Sequence, residues 1–148
     1  MAGRNGSYLL VANEDYNYKH ELVHIVMNNA KILLLSEGIA TYFGGSNGQE
    51  YEIVKSKFFE INYPLDRAKI EEICKFPNQM NYYALGSILC ELVINEKQID
   101  GIKKIWDTRG SDDRSNGLQD FDALLESVKE VMVSTKAEIY EKLNDLRH

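Results

Sequence analysis

The chain has 148 residues with 17 Lys+Arg against 23 Asp+Glu, a net charge of −6, which suits one domain over 1–148 and, with no basic run, argues against a nucleic-acid partner. Its two cysteines, Cys74 and Cys90, sit on apolar helix-like stretches and read as buried thiols rather than a disulfide framework. The longest apolar run near the start, YLLVA at 8–12, is too short for a membrane span or a secretory-signal core, which leaves the compartment open.

In chain order, SYLLVAN at 7–13 reads as a short strand followed by a polar turn. After it, apolar residues recur at helical spacing and predict a mainly α fold, with helices over about 17–29, 31–43, 49–62, 66–76, 80–95, 98–107, 118–132 and 136–147. Gly44 and Gly45 are suited to end the second helix, and Pro64 and Pro77 break the chain around the fourth. Thr135 and Glu138 have the spacing of a capping box. The segment RGSDDRSNG, 109–117, reads as the one long loop.

The first helix carries KHELVHIVM, 19–27. At about 100° per residue His20 and His24 lie about 40° apart with Glu21 beside them, and Leu22, Val23, Ile25, Val26 and Met27 fill the remaining arc. One explanation is an amphipathic helix turning a narrow polar sector to water. Composition weighs against chance, since a shuffled chain would contain H-E-x-x-H only about 0.004 times. The chemistry gives the spacing a purpose. Two imidazoles at i and i+4 can share one Zn²⁺, and the Glu between them reaches a water on the metal. A third ligand is needed. The pattern H-E-x-x-H-x-x-G-x-x-H is excluded, because Met27 and Ala30 stand where it requires Gly and His. The alternative donor is Glu37 in LLSEGIATYF, thirteen residues after His24. Its helical neighbours Leu33, Leu34, Ala40 and Thr41 are all uncharged, and a carboxylate on so apolar a face wants a partner such as a metal.

HELVH followed after twelve residues by the Glu of SEGIATY resembles the zinc peptidases called gluzincins. The resemblance implies His20, His24 and Glu37 as zinc ligands and Glu21 as the catalytic base. NYYALGSILCEL, 81–92, is similar to that family's Y-x-x-G helix, whose tyrosine hydrogen-bonds the reaction intermediate. Tyr83 with Gly86 fits the frame, and Tyr82 and Tyr42 remain alternatives. Gly86 and Ser87 follow Tyr83 at i+3 and i+4, so this face is able to approach the site closely. The likeness spans about 17 to 107, while the closing helices resemble the tail of peptidase MA-like domains in pattern only.

What the resemblance implies is a zincin-like helical catalytic subdomain acting on a peptide or protein substrate, an endopeptidase by default because no G-x-M-E-N segment is present. Gluzincins carry a β-sheet before the motif, whose edge strand holds the substrate. Nineteen residues before His20 cannot supply it, so the expectation is either the C-terminal part of a longer peptidase or an incomplete cleft. The rival reading is a catalytically inactive helical module that retains a structural zinc site. Glu21 argues for catalysis, since a structural site has no use for a base beside its ligands.

Overall fold

The computed structural model describes residues 17–27, 30–110 and 116–147. Within them the chain is all helix and turn, in keeping with the mainly α expectation. The helices are α1 (Asn17–Met27), α2 (Leu33–Gly44), α3 (Tyr51–Ile61), α4 (Arg67–Cys74), α5 (Met80–Ile105), α6 (Gly117–Met132) and α7 (Lys136–Asp145). The strand expected at 7–13 and most of the 109–117 loop lie outside the described residues.

The organising contact is between α2 and α5, which cross through glycines. A Cβ on Gly38 would lie 2.5 Å from the Gly86 carbonyl carbon, and one on Gly86 would lie 2.3 Å from the Leu34 carbonyl oxygen. Only hydrogen fits on either side, and this lets the two backbones meet directly. Around the crossing, Leu34, Leu35 and Ile39 of α2 interlock with Leu85, Ile88 and Leu89 of α5. Phe121, Leu124 and Val128 of α6 close the far side. Each such side chain contributes about 1.5–3 kcal/mol when fully buried.

Helices 80–95 and 98–107, expected as two, form one element broken at Gln98, where φ is 61° and ψ −166°. Beyond the break, Gly101 sits against Val93 and Lys97 of the first segment, and Ile102 and Ile105 return to the core. Polar contacts fix the outer helices. Glu91 of α5 accepts from Tyr51 Oη at 2.6 Å and from Lys55 Nζ at 3.1 Å. Arg67 clamps Asp122 through two bonds of 2.6 and 2.9 Å, tying α4 to α6. The Thr135 and Glu138 capping box opens α7 as expected. Cys74 and Cys90 are buried free thiols, and burial pushes Cys74 up to about 12, far from a reactive thiolate. Among the described residues no helix is long and apolar enough to cross a membrane.

Candidate metal centre

α1 lies along α2 with its polar side turned inward. His20 is buried and His24 partly so, whereas Leu22, Ile25 and Val26 are exposed, Val26 by 74%. The helix therefore turns its histidines inward together with the half-buried Val23 and Met27, and leaves a second apolar stretch facing out. The explanation in which the polar sector faces water fails for both histidines and holds only for the exposed Glu21.

Two glycines at the end of α2 make this orientation possible. A Cβ on Gly44 would lie 2.5 Å from the His20 nitrogen and 2.5 Å from the Lys19 carbonyl carbon, so the backbone of α1 rests directly on this position. Gly45 then leaves the helix at φ 74°, a left-handed value that glycine tolerates without penalty. Its carbonyl oxygen accepts from His20 Nδ1 at 2.8 Å. A carbonyl can only accept, so Nδ1 carries the hydrogen, and in the neutral ring the Nε2 lone pair is free to point at the site. The residue before Glu37 contributes as well: Ser36 Oγ accepts from the Ala30 N–H at 3.0 Å and secures the entry to α2.

Three donors converge at this junction. His20 Nε2 lies 2.8 Å from Glu37 Oε1, His24 Nε2 lies 3.2 Å from Glu37 Oε2, and the two Nε2 atoms are 3.3 Å apart. All three ligand atoms fall within 4.8 Å of one another, so one metal ion can reach them. Burial opposes ionisation of Glu37, but hydrogen bonds from His20 and His24 outweigh it and bring its pKa down to about 2. Burial likewise works against charge on His20, yet its bonds to Glu37 and the Gly45 carbonyl raise its pKa above 6.5. The apolar neighbours of Glu37 on its own helix thus leave it to be satisfied from α1.

Of the three tyrosines, Tyr83 alone senses the carboxylates of this site. Its pKa is raised by burial and then by the negative charges of Glu37 and Glu21. Tyr82 is fully buried with its hydroxyl directed at the Gly117 carbonyl, 3.5 Å away, on the α6 side. Tyr42 stacks edge-on against Tyr51 at 5.1 Å, in the neighbourhood of Glu91 and Glu52.

The sequence reading missed the Gly45 carbonyl as the partner that orients His20 and missed Gly38 as the residue that receives Gly86. The paired glycines at 44 and 45 were the available signal, legible there only as a helix end. Comparison with protein-family models, with curated proteins and with solved structures finds no match to this chain.

Proposed function

We propose that this chain is a zinc-dependent peptidase domain of gluzincin type, with His20, His24 and Glu37 as metal ligands. The observation that carries the reading is the convergence of two imidazole Nε2 atoms and one carboxylate from adjacent helices, within reach of a single ion. The donor set fits zinc: two His and one Glu form one of its catalytic ligand sets, and a ligating imidazole is commonly held by a carbonyl on its other nitrogen, as His20 is by Gly45.

Bound there, Zn²⁺ supplies Lewis acidity, which lowers the pKa of water toward ~7 and polarises a carbonyl. The protein's own groups do the rest. Glu21, next to His20 and solvent-exposed, accepts the proton from the attacking water and returns it to the leaving amine. The Tyr83 phenol, kept protonated by burial and by Glu37 and Glu21, donates a hydrogen bond to the oxyanion that develops at the scissile carbonyl. The Gly45 carbonyl holds His20 in one tautomer throughout.

One observation favours a second reading, a noncatalytic module with a structural zinc site. Among the described residues no strand is present to hold an extended peptide by main-chain hydrogen bonds. The experiment that separates the two is metal analysis of zinc-reconstituted protein at neutral pH, followed by hydrolysis of quenched fluorescent peptides by wild type and Glu21→Gln. The peptidase reading expects about one zinc per chain, lost in His20→Ala, and turnover that Glu21→Gln abolishes with zinc retained. A chain that holds no zinc overturns both readings, and equal turnover by Glu21→Gln removes that residue as the base.

A further inference from the structure

The hydrogen bonds that Glu37 makes here are ones that a metal would take away. Its two oxygens face His20 Nε2 at 2.8 Å and His24 Nε2 at 3.2 Å. The Gly45 carbonyl already claims the hydrogen on His20 Nδ1, so a bond from Nε2 to the carboxylate requires a second proton on that ring. Zinc binds imidazole through the lone pair that such a proton occupies, and ligands shed their protons when a metal enters. Loading therefore strips Glu37 of its partners on α1. The carboxylate is largely enclosed. If one oxygen ligates, the other has to be satisfied there, and ligating carboxylates are ordinarily held by a hydrogen bond of their own.

The donor for that oxygen has to come from nearby. Of the side chains one turn away on α2, Leu33, Leu34, Ala40 and Thr41, only Thr41 has one. Thr41 follows Glu37 at i+4, and because Cβ on a helix tilts toward the N-terminus, its side chain leans over the turn that carries Glu37. It also lies three residues from each close helix contact of α2, between Gly38, which meets α5, and Gly44, on which α1 rests. Thr41 is accordingly fully buried, and its Oγ1 has no hydrogen-bond partner among the described residues. Even the backbone carbonyl a turn back, the usual resort of a helical threonine, is not engaged. An enclosed hydroxyl left unpaired is destabilising, and valine would fill the same space without that penalty. Packing alone gives no reason for threonine here.

We infer that Thr41 is a positioning residue, whose hydroxyl donates to the Glu37 oxygen that zinc leaves unbound and so fixes how the carboxylate meets the metal. The assignment rests on the zinc reading and adds a residue that this reading does not contain. Hydrogen bonds balance in both states. Without metal the histidines satisfy Glu37 and Thr41 is orphaned; with metal the histidines serve the ion and Thr41 takes their place at the carboxylate. Zinc binding thereby relieves an unpaired hydroxyl, and Thr41 favours the loaded state without touching the ion.

The test compares wild type, Thr41→Val and Thr41→Ser as full chains, metal-free and zinc-loaded. Competition against a chromophoric chelator reads zinc affinity, and thermal melting reads the stability of the metal-free form. Metal-free Thr41→Val is expected to melt at or above wild type, since it removes only an unpaired group. Its zinc affinity is expected to fall about 10-fold or more, the scale for loss of a partner that orients a ligand. A packing role would not spare the metal-free form while weakening the loaded one. Thr41→Ser keeps the donor and is expected to bind zinc nearly as tightly as wild type, even though the lost methyl lowers its melting temperature. Thr41→Val that binds zinc like the wild type overturns the assignment. A lower melting temperature of metal-free Thr41→Val also overturns it, because the hydroxyl would then have a partner before zinc arrives, and so does Thr41→Ser that binds no better than Thr41→Val. A wild type that holds no zinc overturns the metal reading and the assignment with it, so the wild type alone tells the two failures apart.

Discussion

Gly44→Ala places a methyl group where α1 rests on α2. The new Cβ would lie 2.5 Å from the His20 nitrogen, 2.5 Å from the Lys19 carbonyl carbon and 2.7 Å from the His20 Cα. Non-bonded carbon contacts settle at about 3.5 Å, so α1 has to retreat by about 1 Å. All three obstructing atoms are backbone, so the retreat carries His20 with its helix rather than rotating one side chain aside. Metal sites hold their ligand distances within about 0.2 Å. Zinc affinity is therefore expected to fall by about 10- to 100-fold, the range seen when a ligand loses its orienting partner. Overpacking should cost about 1–3 kcal/mol of stability as well. Gly101→Ala is the matched control, because its Cβ meets Lys97 Cβ and Val93 Cγ1 at 2.7 Å, both on α5 itself. It should destabilise by a similar amount and leave zinc affinity unchanged. Competition against a chromophoric chelator measures the affinity, and far-ultraviolet circular dichroism confirms the fold. A folded Gly44→Ala protein that binds zinc like the wild type refutes the reasoning, and so does an equal loss in Gly101→Ala.

The pH dependence of stability should invert on metal binding. His20 has a folded pKa raised above 6.5, so its contribution is complete below 6.5 and is lost as pH rises through the folded value. Glu37 is lowered from 4.5 to about 2, so its contribution is present above 4.5 and is lost as pH falls toward 2. Metal-free protein is expected to melt highest between 4.5 and 6.5, and zinc-loaded protein above that window, because a metal competes with protons for its ligands; coincident melting profiles with and without chelator would count against the site. Glu91→Leu leaves the buried Lys55 ammonium with the exposed Glu52 at 3.6 Å and the face of the Tyr51 ring at 5.5 Å and should cost about 3 kcal/mol in urea unfolding, while Lys55→Met with Glu91→Leu recovers most of it. If the double variant is as unstable as the single, the pair is not what holds α3 to α5. Gln98→Gly should stabilise by about 1 kcal/mol, or about 3 °C in melting temperature, because φ 61° with ψ −166° is a region that glycine enters freely. A drop in melting temperature would mean that the break in α5 is unstrained.

What could be read from the sequence was what depends on local geometry. The spacing of His20 and His24 fixes their side of α1 whatever surrounds it, and the apolar neighbours of Glu37 on α2 require its partner to come from elsewhere. The helical elements followed from periodicity, including the division of α5 near Gln98. Contacts chosen by tertiary packing were not legible. Gly86 announced a close approach, but nothing local could name Gly38 as the surface it meets. A backbone acceptor such as the Gly45 carbonyl has no residue identity to recognise. A helical wheel alone would send the apolar arc to the interior, but Glu37 and the Gly45 carbonyl draw the histidines inward and leave Leu22, Ile25 and Val26 facing out, a reversal that the metal reading of the motif already required.

That reversal leaves α1 with a single neighbour, since among the described helices it packs only against α2, and much of its apolar surface lies outside that contact. Such an element opens at a lower free energy than the core beneath it. On the proposed reading, the ion then acts as a clasp. Because α1 contributes two of the three ligands, release of zinc and undocking of α1 become a single event, and the residence time of the metal is set by how often the helix opens. Removing the ion should accordingly speed amide hydrogen exchange across 20–27 while leaving the α2 and α5 crossing as protected as before.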